Sequence, residues 1–439
     1  MSAAGVLSWG NHPRFPQTAV DCSWGGQARA CLEQLQQANG GTLPFGSGMS
    51  YGDSCLAASD HVLRLRRLDR FIAADWASGV LSAEAGITLE ELLAASIPRG
   101  WFLPVVPGTR HATLGGAIAN DVHGKNHHQR GTFGRHVRRF GLVRSDAGRL
   151  NCSPAERPDL FRATIGGLGL TGIIEWAELQ LVPIRAARIT GITRRFADLD
   201  EFFALSDEFD PRHEFCVSWV DCLARGRRAG RGVYTAGNFA ADGALAVERA
   251  RGLTFPLTPP VSLVGRWSLR AFNELYWRKS PRKLAATQSG YGRFFFPLDA
   301  IGKWNRMYGP RGFQQYQCVI PAADARDGIR ALLAAVADSG AGSFLAVLKR
   351  CGNIPSPGLL SFPMPGVTLA LDFPQTSTLE TALFQKLDAI VRETGGRLYP
   401  AKDAHMSGAD FRRGYPAWTQ VEALRDPALL SRFWRRVTQ

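Results

Sequence analysis

Apolar and polar positions alternate along this chain with two different periods, and the balance between them shifts partway. Residues 25–41, GGQARACLEQLQQANGG, predict a helix ended by glycines. Residues 79–86, GVLSAEAG, predict a strand. Thr88-Leu-Glu-Glu91 is a capping box, so a helix begins at LEELLAASI. PDLFRATI predicts a helix, and Ile173–Ile184, IIEWAELQLVPI, alternates as a strand does. The first 185 residues thus alternate short helices with short strands. Beyond them arginine, phenylalanine, tryptophan and proline become dense and the glycine motifs thin out. FQQYQCVIP (313–321) and GVTLALDFP (366–374) predict strands of an antiparallel sheet. TALFQKLDAIVRET (381–394) has helical periodicity and stops at Gly395-Gly396. Asp426-Pro427 predicts an N-cap followed by proline at the first helical position.

With 439 residues, two domains are the default expectation. The 45% of hydrophobic residues is ordinary for a globular protein, and no run of 18 apolar residues predicts a spanning helix. The opening MSAAGVLSWGNHPRF lacks the basic start and apolar stretch of a secretory signal, which points to the cytoplasm. None of the eight cysteines forms a CxxC pair or stands at zinc-finger spacing with histidine, so they read as reduced packing residues.

The net charge is +14, with arginine clusters at Arg225–Arg231 and Arg432–Arg436. A solvated basic surface, an anionic membrane and a phosphorylated substrate all fit that charge. Nucleic acid is the weakest partner, because no helix-turn-helix, zinc-finger or RNA-binding aromatic signature accompanies the charge.

Four segments carry chemistry. Gly46-Ser-Gly-Met-Ser-Tyr-Gly-Asp53 packs three glycines and two serines into eight residues, so its amides can approach an anion; a plain turn would read the same way. Pro107-Gly-Thr-Arg-His-Ala-Thr-Leu-Gly-Gly-Ala-Ile-Ala-Asn120 offers small residues on which a flat ligand could lie. Asp121-Val-His-Gly-Lys-Asn-His-His128 clusters His123, Lys125, His127 and His128. A metal site is disfavoured there: glycine lies between His123 and His127, and no carboxylate ligand pattern accompanies them. Gly166-Gly-Leu-Gly-Leu-Thr-Gly172 contains GxGxxG, but the predicted helix precedes it and the strand follows, the reverse of a dinucleotide-binding βαβ unit.

In this order the four segments resemble the vanillyl-alcohol oxidase, or p-cresol methylhydroxylase (PCMH), type of FAD-binding family. SYGD, PGTR, TLGGAIA, DVHGKNHH, GTFG, GLGLTGII, LYWRKS, the QYQ segment and GGRLYPAKD are similar, more narrowly, to the decaprenylphosphoryl-β-D-ribose 2′-oxidase family, from about Ser50 onward. The resemblance implies an α+β fold in three segments. Residues 1–185 would form a two-lobed PCMH-type FAD-binding domain, 186–396 a substrate-binding cap with an antiparallel sheet and flanking helices, and 397–439 a C-terminal segment returning to the FAD domain.

The resemblance also implies FAD held without a covalent link, since the loop that carries a linking histidine in many relatives has Ser50 and Tyr51 here. Gly48, Ser50, Tyr51, Gly52 and Asp53 would line the pyrophosphate side of the cofactor. Pro107, Gly108, Thr109, Thr113, Gly115, Gly116, Ala119, Asn120, Gly124, Gly172 and Ile173 would lie along the dinucleotide. His123, Lys125, Tyr51, Gln317, Lys349, Tyr399 and Lys402 would face the substrate and flavin ring. Two positions depart from the family: Thr368 and Ala370 stand where its members carry asparagine and cysteine in the strand lining the substrate cavity. The Arg350–Pro357 loop differs as well.

The implied activity is oxidation of a secondary hydroxyl, C2′ of a polyprenyl-phosphoryl-β-D-ribose, to a ketone by hydride transfer to flavin N5. His123 and Lys402 are the candidates for proton handling. A short-chain dehydrogenase would reduce the keto sugar, completing epimerisation to arabinose, and the protein would sit peripherally at the inner face of the membrane. The alternative is an FAD-dependent oxidase of a free sugar, polyol or sugar lactone.

Overall fold

The Thr88 hydroxyl accepts the Glu91 N–H at 3.3 Å, while Thr88 N–H donates to Glu91 Oε2 at 2.8 Å. This reciprocal cap, worth about 1 kcal/mol, starts the helix Leu89–Ser96, which buries Leu89, Leu92 and Leu93. The computed structural model describes residues 5–248 and 252–439, so the first four residues of the N-terminal segment lie outside the described part.

Two small sheets build the N-terminal unit. Thr18–Asp21, His61–Arg64 and Pro44–Phe45 form a parallel three-stranded sheet whose central strand, His61–Arg64, is the last of the three in sequence. The helix Ala28–Asn39 packs Leu32 and Leu35 in the same apolar cluster as Leu63 and ends at Gly40, whose φ of 72° is the left-handed stop the glycine pair predicts. The second sheet is antiparallel and runs Phe71–Asp75, Val80–Glu84, Ile173–Gln180, Val137–Arg144, Gly148–Cys152. The predicted strand Ile173–Ile184 is broken after Gln180; Val182–Pro183 turns away to pair with Trp101–Phe102.

The middle of the chain forms one antiparallel sheet of eight strands. Its order is Ala285–Gly290, Arg188–Phe196, Gly232–Phe239, Phe215–Val220, Ala346–Cys351, Gly366–Pro374, Phe313–Pro321, Arg397–Leu398. The helices Leu199–Phe209 and Ala325–Ser339 pack against each other and against this sheet. Gln314 to Ile320 and Val367 to Phe373 are buried on both faces; Val367–Phe373 is accordingly apolar but for Thr368 and Asp372, whereas its neighbour buries Gln314, Gln315 and Gln317.

From Arg397–Leu398, at the edge of that sheet, the chain crosses to the N-terminal unit. Tyr51 N–H donates to Ala401 O at 3.1 Å, Thr42 N–H to Ala428 O at 2.8 Å, and Arg432 N–H to Leu56 O at 2.7 Å. The helix expected at Asp426-Pro427 does not form. Buried Asp426 instead takes the Ser145 hydroxyl at 2.6 Å and the Ala428 N–H at 2.9 Å, making a turn. The helix starts later, at Arg432–Thr438, under the side-chain cap of Ser431.

Candidate active site

A cavity of about 380 Å³ runs between the N-terminal unit and the large sheet. One end is bounded by the loop Gly46–Ser50. Among the described residues, the backbone N–H groups of Gly46, Ser47, Gly48, Met49 and Ser50 donate to no protein acceptor. Five successive free amides make this loop a receptor for anionic oxygens. Along the flank lie Pro107, Gly108, Thr109, Thr113, Gly115, Gly116, Ala119, Asn120, Gly124 and Gly172. A Cβ placed on Gly108 would meet no protein atom within 4 Å, so the bare backbone there faces open space. Thr113 caps its short helix by accepting Gly116 N–H at 3.2 Å.

The other end is built on one face of the eight-stranded sheet. Gln317 stands opposite Ala370, and Lys349 opposite Thr368, in antiparallel register. Residues two apart share a face, so Gln315 and Asp372 extend the same rows. The Gln317 amide reaches Nε2 of His123 at 3.1 Å and Thr368 Oγ1 at 3.4 Å. Nδ1 of His123 is buried and has no partner among the described residues.

The loop bearing His123 is held from below. Asp121 accepts Gly134 N–H at 2.8 Å and the Ser361 hydroxyl at 2.6 Å, and Asn126 donates to Pro104 O at 2.8 Å. The His123 ring lies 5.3 Å from both Phe362 and Tyr399, which stack on each other at 4.6 Å. The Tyr399 hydroxyl donates to Asn120 O at 3.0 Å, tying the sheet edge to the flank of the cavity.

Three lysines reach this end. Lys349 donates to Gly124 O at 2.8 Å, and burial brings its ammonium pKa down to about 8. Lys402 lies over the Tyr51 ring; burial lowers its pKa while the carboxylate of Asp372 opposes the shift. Lys125 lines the cavity but hydrogen-bonds Phe294 O and lies over the Phe294 ring, and burial together with Lys349 brings it to about 7. Burial, then Lys349, His127 and Lys402, hold His123 well below the ordinary imidazole range, so the ring is neutral near pH 7. Burial also raises Tyr51 and Tyr399, which therefore stay as phenols.

Three expected cofactor contacts are placed elsewhere. Gly52 is pressed against the C-terminal segment: a Cβ there would stand 1.6 Å from Asp403 O. Asp53 is buried in an ion pair with Arg436 at 2.9 Å, and the same guanidinium holds Asp403 at 2.9 Å. Ile173 packs with Leu32, Leu63 and Val143, because the strand alternation turns Ile174 to the cavity instead. The other two histidines of the cluster also face away. His127 Nδ1 accepts Gly352 N–H, and His128 Nε2 lies near the carbonyls of Asp210 and His213.

Residues 17–153 match the model described as FAD binding domain. Over 416 residues, 91% of this chain and 89% of the relative, the sequence is 34% identical to the decaprenylphosphoryl-beta-D-ribose oxidase of Mycolicibacterium smegmatis. The chain belongs to the decaprenylphosphoryl-β-D-ribose oxidase family. Within that family's frame it is an FAD-dependent oxidoreductase of α+β fold. It is also 36% identical, over 77% of this chain and 95% of the relative, to the "Uncharacterized protein in mprA 5'region" of Streptomyces coelicolor. The putative D-arabinono-1,4-lactone oxidase of Neurospora crassa is 30% identical over only 31% of this chain. The oxidase family's cofactor fits this cavity on two observations: the free amides of Gly46–Ser50 suit a pyrophosphate, and the open backbone at Gly108 leaves room for a group to lie against it.

Sequence reasoning missed Gln315, Asp372 and Phe362. Gln315 donates to Asp372 at 2.6 Å beneath Lys402, and the alternation Thr368, Ala370, Asp372 would have found the acid. Phe362 lies in a loop with no motif, and only the fold brings it to His123.

Proposed function

We propose that this protein oxidises the C2′ hydroxyl of a polyprenyl-phosphoryl-β-D-ribose to the ketone. The observation that carries the reading is the convergence of His123, Gln317, Lys349, Tyr399 and Lys402 at one end of a cavity whose other end is a loop of free amides. Similarity to the Mycolicibacterium smegmatis oxidase over nine-tenths of the chain supports the substrate class. Residues 1–185 and 397–439 hold the cofactor, and 186–396 form the cap over the substrate.

FAD, when bound, supplies the two-electron acceptor for the hydrogen leaving C2′. The remaining work belongs to the chain. His123 is neutral with Nδ1 unpartnered and receives the hydroxyl proton there once the Gln317 amide turns its carbonyl oxygen to Nε2–H; the amide NH2 now facing Nε2 keeps the ring hydrogen on Nδ1. Lys349 and Lys402 provide positive charge in a site shielded from water, where it is worth several times its value at the surface. Lys349 stands beside Gly124 and binds the substrate phosphate; Lys402, over Tyr51, stabilises negative charge that develops at the reaction centre. Tyr399, stacked on Phe362, orients His123 by packing beside its ring. Lys125, held by Phe294 O, shapes the wall and keeps a third cation in reserve.

A keto sugar is only half of an epimerisation. A short-chain dehydrogenase that reduces it from the other face would complete the change to the arabinose configuration. The protein works at the inner face of the membrane, where its lipid-linked substrate resides; no described helix is long and apolar enough to cross a membrane.

The test is anaerobic flavin bleaching with polyprenyl-phosphoryl ribose beside free ribose and sugar lactones. Bleaching by the phosphoryl ribose alone is expected, with a carbonyl product. Faster bleaching by a free lactone or polyol would replace this reading with a free-sugar oxidase.

A further inference from the structure

Large apolar side chains exposed to water are unevenly spread over this molecule. Ten of the fifteen recorded among the described residues lie in 253–284 or at Ile301. Leu253 is 86% exposed, Leu257 75%, Trp267 77% and Leu275 68%. Single exposed apolar residues need no explanation, but a contiguous group does.

The helix Arg266–Lys279 shows the reason for part of it. Its inner face is fixed: Leu269 and Asn273 are buried, Asn273 donates to Asp221 at 2.6 Å, and Trp277 Nε1 donates to Phe196 O at 3.1 Å. Trp267, Ala271 and Leu275 are spaced four apart, so they form one stripe on the outward face. A helix whose outward stripe is apolar is built for a second medium.

The charge around it is one-sided. Residues 252–303 hold eight lysines and arginines against two acids. Neither acid presents free charge: Glu274 is paired with Arg231 and Arg278, and Asp299 is buried beside Arg110. The surface is therefore apolar at the ridge and cationic around it.

One end of this segment also reaches the cavity. Leu253 pairs with Ile301 and Thr254 with Gly302 in a short parallel ladder, and Ile301, Gly302 and Lys303 line the cavity. Exposed Leu253 and Ile301 thus stand at the rim of the cavity.

We infer that this ridge docks the enzyme on an anionic lipid bilayer, with Trp267 and Leu275 entering the interface and the surrounding lysines and arginines meeting the headgroups. The inference rests on the reading of a lipid-linked substrate: docked in this way, the cavity mouth faces the surface that carries the polyprenyl tail. The cationic rim selects anionic lipid over a neutral membrane, and the Trp-containing helix lies along the surface without crossing it.

The experiment uses the FAD-loaded enzyme and sedimentation with phosphatidylcholine vesicles, with and without phosphatidylglycerol. The expected result is binding to the anionic vesicles only, weakened by salt. Trp267→Glu with Leu275→Glu should lower vesicle affinity roughly tenfold or more, while flavin content and turnover of a water-soluble, short-chain phosphoryl ribose stay unchanged. Trp267→Phe should keep binding, which controls for folding. Wild-type enzyme that oxidises the soluble substrate but ignores both vesicles overturns the docking and leaves the substrate reading intact. Vesicle binding without any oxidation of the sugar supports the docking and overturns the substrate reading. A shift from dimer to monomer in the double-glutamate variant, seen by sedimentation equilibrium, would assign the ridge to a second copy of the chain and overturn the membrane.

Discussion

Lys402 carries its ammonium 3.7 Å above the centroid of the Tyr51 ring. The two residues come from opposite ends of the sequence, and the Tyr51 N–H to Ala401 O bond of 3.1 Å fixes their backbones together. The geometry suits a cation stored on an aromatic face until an anion arrives. Lys402→Ala is expected to keep FAD bound and to lose about 2–4 kcal/mol of transition-state stabilisation, a fall of roughly 30- to 1000-fold in rate. Single-turnover flavin bleaching beside flavin occupancy checks this. Near-normal bleaching would make Lys402 a bystander, and loss of FAD would make it a cofactor contact.

Lys349 gives a pH signature. Burial lowers its pKa to about 8, so its charge is present below that pH and lost above it. Phosphate binding should weaken by roughly tenfold per pH unit above 8, seen as a rise in KM with little change in kcat. Lys349→Arg, whose guanidinium stays charged, should flatten that rise. A KM that is level from pH 7 to pH 10 would remove Lys349 from phosphate binding.

Much of this site was legible before the fold. The glycine-rich segments and the HGKNHH cluster supply nearly half of the cavity wall, because small residues let a ligand come close to the backbone. The capping box at Thr88 and the glycine stop at Gly40 were equally plain, since both are local chemistry. What stayed hidden depends on contacts between distant segments. Asp53 reads as part of a phosphate loop, yet its partner is Arg436, 383 residues later in the chain. Asp426 looked like a helix cap because proline follows it, but Ser145 claims the carboxylate. Ile173 and Ile174 cannot be ranked by composition; only the pleat of their strand decides which one faces the cavity.

Asp53→Asn therefore tests a structural role. It removes one carboxylate from a pair that is buried on the Asp53 side, and should cost on the order of 3 kcal/mol. The expected phenotype is a lower melting temperature with weaker retention of FAD, while enzyme that still holds FAD bleaches at the wild-type rate. A slowed chemical step in fully loaded enzyme would return Asp53 to the reaction.

The cofactor is expected to come off with acid. The resemblance implies that Ser50 and Tyr51 stand where many relatives carry a linking histidine, and burial keeps Tyr51 a neutral phenol. Precipitation with trichloroacetic acid should leave the yellow colour in the supernatant. Colour retained by the pellet would show a covalent flavin.

The guanidinium of Arg436, shared between Asp53 and Asp403, also sets an order of events during synthesis. The N-terminal loop emerges from the ribosome early, but Gly52 must meet Asp403 and Asp53 must meet Arg436 before that loop has its final shape. A nascent chain cannot finish this unit first and move on, as a strictly domain-by-domain folder would. Flavin capture should accordingly come late: the loop takes its final shape only when two stretches made roughly tens of seconds apart find each other, and a pause in translation between them leaves the loop waiting.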